Sequence, residues 1–243
     1  MEYGAPHAEL YDEVFRSRGK DYRAEVEGII GHVREQCPGA RSLLDVACGT
    51  GQHLFHFAER FEHVEGVDLS PHMLERAQAH VPSAKLHVGD MRTLDVGRTF
   101  DVVNCSGNAI SELRTLEALT EALRRMTIHL ADGGVLVVEP WYFEEHFLEG
   151  HVGGHLFESD GRVVSRVTHV TRVGDLAHHT VAFTVAEATG IRRFEEVLVY
   201  GLFTQAQYVD AFRAAGVTAQ LVPGFCLADG RPNSPGLFVA TRS

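Results

Sequence analysis

Short apolar runs alternating with helical stretches constrain this 243-residue chain more than any single motif does. Runs at 42–47, 64–67, 84–88, 100–105 and 135–138 are separated by segments of helical period near 52–61, 71–80 and 117–130. Strands joined through helices imply crossover connections, and the apolar character of each run implies a parallel sheet covered on both faces. The prediction is an α/β, Rossmann-like core with helices on both faces. With 44% hydrophobic residues the chain can bury such a core, and its length suits one elaborated domain.

Outside the core the pattern changes. Residues 7–37 read as two helical pieces interrupted at Arg16-Ser17-Arg18-Gly19-Lys20, which predicts a helical cap over 1–40. From 155 to 203 the period becomes two, clearest in His179-Thr180-Val181-Ala182-Phe183-Thr184-Val185, with turn signals at Ser159-Asp160-Gly161, Gly174-Asp175 and Thr189-Gly190. That predicts an antiparallel β insertion over 151–203 with one exposed face. A helix over 205–215 stopped by Gly216, then strands at 217–222 and 236–241, return to the main sheet. The core is thus expected at 41–150 and 204–243.

A net charge of −11 sets this surface against nucleic acid phosphates, so DNA and RNA are poor partners. No apolar run approaches the ~20 residues that span a bilayer, and the first ten residues lack a basic then hydrophobic leader. A soluble, cytoplasmic protein without membrane partners is expected. The cysteines Cys37, Cys48, Cys105 and Cys226 form no C-x-x-C pair, and His151 and His155 bracket Gly153-Gly154, so no metal site is signalled.

The strongest local signal is Leu43-Leu44-Asp45-Val46-Ala47-Cys48-Gly49-Thr50-Gly51-Gln52-His53, a strand entering a glycine turn and then a helix. Gly49 and Gly51 let backbone pass close to a ligand at the carboxyl ends of the strands, where open α/β sheets bind nucleotides. A dinucleotide fingerprint would need glycine at position 54, which is Leu54. S-adenosylmethionine carries no phosphate but has a sulfonium and an α-ammonium, and Asp45 beside the glycines suits it electrostatically. Asp68 ends the second strand, where a carboxylate can accept from both ribose hydroxyls, and Asp90 ends the third, where it can accept from the adenine amine between Leu69 and Met91. Ala47 and Cys105, at the ends of the first and fourth strands, complete the expected cofactor set. Each acid alone is equally a helix N-cap or turn former; at successive strand ends they form an ordered set.

This set resembles the class I methyltransferase family, whose glycine-rich first motif is matched by Asp45 to Gly51. The resemblance, over about 43–139, implies the fold, S-adenosylmethionine as cofactor and methyl transfer. On the acceptor side, Asn108 and Glu112 follow the fourth strand, and Glu139-Pro140-Trp141-Tyr142-Phe143 the fifth. An amine must be deprotonated to attack, and Glu139, Glu112 or His146 can take that proton; Glu139 is equally readable as a structural carboxylate capping the strand end. Trp141 and Tyr142 are candidates to wall an acceptor, with core packing the alternative. Tyr3, Tyr11 and Tyr22 sit in a cap that can close over the donor, or pack as ordinary amphipathic helix.

Glu9-Leu10-Tyr11-Asp12, Arg18-Gly19-Lys20-Asp21-Tyr22, Gly89-Asp90-Met91-Arg92, Val138-Glu139-Pro140-Trp141 and Gly236-Leu237-Phe238 are similar to the N,N-dimethyltransferases that finish dTDP-linked amino sugars of macrolide antibiotics. That resemblance implies a small amine acceptor, an amino sugar either dTDP-linked or already on an antibiotic, with Tyr11 near the transferred methyl. It also implies an arginine gripping the diphosphate. Here Pro235 precedes the Gly-Leu-Phe triplet and Arg231 lies upstream, so the grip differs and an acceptor lacking the nucleotide stays open. An O- or C-methyltransferase on a natural product, or a non-catalytic donor-binding subunit, are the competing readings. The exposed face of the β insertion allows a homodimer.

Overall fold

The computed structural model describes residues 5–228 and 230–242. Two helices, α1 (Ala5–Ser17) and α2 (Tyr22–Gln36), precede the strands β1 (Ser42–Val46), β2 (His63–Asp68), β3 (Lys85–Val88), β4 (Phe100–Cys105) and β5 (Leu130–Val138), which alternate with α3 (Gln52–Ala58), α4 (Pro71–His80) and α5 (Leu116–Ile128). Side-chain caps start most of these helices: Asp21 accepts from Ala24 N, Ser70 from Met73 N ahead of Pro71, and Thr115 from Ala118 N. Four antiparallel strands follow, β6 (Val152–Ser159), β7 (Arg162–Val173), β8 (Leu176–Glu187) and β9 (Gly190–Gly201). The chain ends with α6 (Gln205–Ala214), opened by a Thr204/Gln207 capping box, and the strands β10 (Thr218–Val222) and β11 (Leu237–Thr241).

The main sheet has the order β10-β11-β5-β4-β1-β2-β3. β1 to β5 run parallel, while β11 pairs antiparallel with both β5 and β10, so the sheet is mixed. One face buries Leu44, Val46 and Val103 against α5 and α6; the other buries Leu43, Val102 and Val137 against α2 and α3. Strand order reverses between β1 and β4, so a crevice opens above their carboxyl ends. β5 begins at Leu130 rather than at the apolar run 135–138, because Leu130 pairs with Phe100 and the extra residues of β5 before Val135 are taken up in an irregularity of the register.

The second sheet, β6-β7-β8-β9, folds over this crevice. Its inner face packs Val164, Val181, Phe183 and Leu198 on Leu10 and Val14 of α1. Arg162 and Arg192 also pair with Glu9 of that helix. The cap helix and the inserted sheet therefore form one packed unit. Among the described residues no helix is long and apolar enough to cross a membrane.

Candidate active site

The loop leaving β1 turns through three left-handed residues, Ala47 (φ 58°), Gly49 (φ 57°) and Gly51 (φ 81°). Glycine meets this demand without cost; alanine at position 47 carries strain of the kind found at ligand sites. A Cβ on Gly51 would also lie 3.0 Å from the backbone of Ala77 in α4. The turn leaves a cavity of about 430 Å³ above the ends of β1 to β4, lined by Ala47, Gly49, Asp68, Leu69, Asp90 and Met91 among others. Asp68 Oδ2 accepts from Gly49 N at 2.9 Å and Oδ1 from Ser70 N at 2.8 Å. Burial pushes its carboxyl up, against those amides, and each oxygen keeps acceptor capacity toward the cavity. Asp90 is held by the Arg92 guanidinium, which keeps its carboxyl below the usual range.

A second cavity, of about 540 Å³, lies between α1, the inner face of β6 to β9 and the chain before β11. Trp141 packs on Tyr200 at 4.8 Å and stacks parallel to His179 at 6.3 Å, and all three line it with Tyr142 and Asn108. Arg16, Arg18, Arg166 and Arg231 line it as well, a concentration of positive charge in a chain of net charge −11. His155 registers it: burial, then the charges of Arg18, Arg166 and Arg231, push its pKa down.

Tyr11, Gly107 and Glu112 line both cavities and so mark where the two meet. Tyr11 arrives on α1, its ring 4.8 Å from Phe15, and burial, reinforced by Tyr22, Glu112 and Tyr200, drives its phenol far toward the neutral form. Glu112 ends a 3₁₀ turn, Ala109–Glu112, that follows β4. A donor in the first cavity and an acceptor in the second would face each other across this joint, the arrangement an in-line transfer needs.

Several sequence-expected residues lie elsewhere. Asp45 sits beneath the loop, 3% exposed, its Oδ1 accepting from Asn104 Nδ2 at 2.7 Å; Asn104 Oδ1 in turn accepts from Ser106 Oγ at 2.9 Å, and it is Ser106 that reaches the cavity wall. Gly51 serves helix packing rather than the cavity lining. Cys105 is fully buried in the apolar layer under α5. Glu139 is completely buried and spent on bracing: it accepts from Gly107 N at 2.7 Å and from Asn233 Nδ2 at 3.0 Å, tying the β4 loop to the chain that carries Arg231. It lines neither cavity, so of the two readings open in the sequence its placement favours the structural carboxylate over the proton acceptor. Tyr22 also lines neither cavity, because its ring stands edge-on to His53 at 4.9 Å under the Lys20 ammonium. Tyr3 lies outside the described residues. Sequence reading missed Arg166, whose signal is its position in β7: it shares a face with buried Val164 and Val170, where a charge has no packing role.

The residues lining the first cavity fit S-adenosylmethionine: carboxylates with spare acceptor capacity face it, and apolar Leu69 and Met91 flank it. Residues 43–134 match the model of a methyltransferase domain. The chain is 42% identical to a dTDP-4-amino-2,3,4,6-tetradeoxy-D-glucose N,N-dimethyltransferase of Saccharopolyspora spinosa, over 99% of this chain and 94% of that one. It is 44% identical to a dTDP-3-amino-3,4,6-trideoxy-alpha-D-glucopyranose N,N-dimethyltransferase of Streptomyces venezuelae, over 98% of each. Among solved structures, a SAM-bound amino pentose methyltransferase from Micromonospora echinaspora, involved in calicheamicin biosynthesis, superposes with a TM-score of 0.88 at 45% identity, covering 96% of this chain and 97% of that one. Fold, cleft and comparisons together define a Rossmann-like methyltransferase whose methyl donor is S-adenosylmethionine. Within that class, identity on this scale across whole chains shows that the protein belongs to the amino-sugar N,N-dimethyltransferase family and is an N-methyltransferase.

Proposed function

We propose that this enzyme dimethylates the amine of a deoxyamino sugar carried on dTDP. The observation that carries the reading is the joint at Tyr11, Gly107 and Glu112, where a nucleoside-sized cleft meets an arginine-rich, aromatic-walled cavity. Arg18, Arg166 and Arg231 gathered near His155 favour an acceptor bearing a diphosphate over a free antibiotic amine, since guanidinium groups suit phosphate oxygens. Trp141 and Tyr142 offer apolar faces to the sugar.

Bound in the first cavity, S-adenosylmethionine supplies an electrophilic methyl on a sulfonium. Asp68 would accept from the ribose hydroxyls and Asp90 from the adenine amine, with Leu69 and Met91 offering apolar contact to the base. Asp45 acts from beneath the glycine loop, through Asn104 and Ser106, by its charge rather than by contact. Tyr11 shields the joint from water with its neutral ring. Glu112 orients the acceptor amine and takes the proton that must leave before the lone pair can attack, once for each methyl. We further propose a homodimer through the outer face of the second sheet, where Val152, Leu156, Val167, Ile191 and Val197 are exposed.

The test is direct: purified enzyme with S-adenosylmethionine and dTDP-3-amino-3,6-dideoxyglucose, followed by mass spectrometry. Gain of two methyl groups on the sugar nucleotide is expected. Methylation only of amines lacking the nucleotide would sink the dTDP assignment.

A further inference from the structure

Asn108 lies in the wall of the acceptor cavity at the end of the loop that follows β4. It caps the 3₁₀ turn in the left-handed region (φ 64°), with its carbonyl accepting from Ser111 N at 3.0 Å. Its side-chain Oδ1 is buried and has no hydrogen-bond partner. The residue lines the acceptor cavity but not the donor cleft, and it follows Gly107, which lines both and is held by Glu139. Buried polar atoms are almost always paired, and those left open collect where a ligand completes them.

The group that completes Asn108 must donate a hydrogen bond. A pyranose ring oxygen only accepts, and a deoxy carbon or the sugar methyl offers nothing. A hydroxyl donates and accepts, so it satisfies the amide whichever way round its oxygen and nitrogen lie. The position is set by the chain. Glu112 and Gly107 line both cavities, at the joint where the reacting nitrogen would sit, whereas Asn108, the residue after Gly107, lines the acceptor cavity alone, so the group it meets belongs to the part of the acceptor next to the amine. Resting on the amino-sugar reading above, we infer that Asn108 is a specificity-determining residue that binds the hydroxyl on the ring carbon beside the amine-bearing carbon. The acceptors are thus amino sugars whose reacting amine has a hydroxyl neighbour, as in 3-amino-3,6-dideoxy sugars, and not those deoxygenated on both sides of the amine, as in 4-amino-2,3,4,6-tetradeoxy sugars.

Three dTDP-linked substrates test this: 3-amino-3,6-dideoxyglucose and its analogues lacking the 2-hydroxyl or the 4-hydroxyl. The wild type should lose at least tenfold in kcat/KM on one of the two analogues, because a site built to pair a hydroxyl rejects the analogue without it. In Asn108→Gly, which suits the left-handed backbone and so leaves the turn intact, that preference should collapse below threefold. Asn108→Asp, which keeps an oxygen in place, should retain most of it. Equal rates on all three substrates with the wild type overturn the assignment. So does an Asn108→Gly enzyme that slows on every substrate by the same factor, since Asn108 would then hold the amine or the loop rather than a hydroxyl. Failure of the wild type to methylate any of the three, with S-adenosylmethionine still bound by calorimetry, overturns the amino-sugar reading itself and this assignment with it.

Discussion

Asp45 shows how a single residue can be legible in type and hidden in role. Its place before the glycines is read from sequence, yet the structure buries it behind the loop, where desolvation pushes its carboxyl up to about 6 despite the Asn104 amide. An unfolded aspartate titrates near ~3.9, so between about pH 4 and 6 the folded chain binds more protons than the unfolded one. Stability contributed by this group is therefore present at low pH and lost as pH rises through that window, an effect on the order of 2 kcal/mol. Asp45→Asn removes the slope: urea unfolding at pH 4 and 6.5 should show the variant gaining relative to wild type as pH rises, and a constant difference would refute the raised value. Asp68 differs because it faces the cavity while holding Gly49 and Ser70. Asp68→Ala should weaken S-adenosylmethionine binding by more than tenfold, about 1.4 kcal/mol in calorimetry, whereas a loss within threefold would remove it from the donor site. Both acids stand near strand ends in the sequence; the structure buries Asp45 beneath the glycine loop and leaves Asp68 half-buried at the cavity wall.

At the level of elements, α1 is the joint piece. Its Asp12 accepts from Thr50 Oγ1 at 2.6 Å in the glycine loop and lies 3.6 Å from Arg76 of α4, while Leu10 and Val14 enter the core of the second sheet. One helix thus links the donor loop to the roof of the acceptor cavity and carries Tyr11 between them. Thr50→Val removes the link at nearly constant volume. The expected outcome is faster amide exchange along α1 and a fall in donor affinity of about tenfold, with melting temperature lowered by only a few degrees. Exchange in α1 equal to wild type would show that the sheet contacts alone hold the helix. The helices and strands themselves were readable, since apolar period, caps and turn residues are local signals. The docking of α1 on the inserted sheet was not, because the Glu9 pairs with Arg162 and Arg192 join residues about 150 and 180 positions apart.

The whole molecule presents two faces of one antiparallel sheet with different chemistry. The inner face carries Arg166, His179 and Tyr200 over the acceptor, and the outer face exposes Val152, Leu156, Val167 and Val197. Alternation makes this unavoidable, since neighbouring residues of a strand point to opposite sides. Leu156→Lys with Val167→Lys should convert a dimer to a monomer in analytical ultracentrifugation while the thermal transition stays cooperative; a monomeric wild type at micromolar concentration would disprove pairing through this face. The sequence by itself determined the parallel strands of the core, the glycine turn and the methyltransferase class, because strand ends and the turn that follows them lie within a continuous stretch of chain and act locally. Only the tertiary structure decided the acceptor side. Its arginines, aromatics and Asn108 come from α1, the β4 loop, the second sheet and the approach to β11, and their convergence depends on how one sheet packs over another, which no local pattern encodes. Glu139 makes the distinction concrete: a carboxylate at a strand end reads equally as a base or as a structural cap, and only the folded chain brings to it Gly107 N and Asn233 Nδ2 from two separate loops.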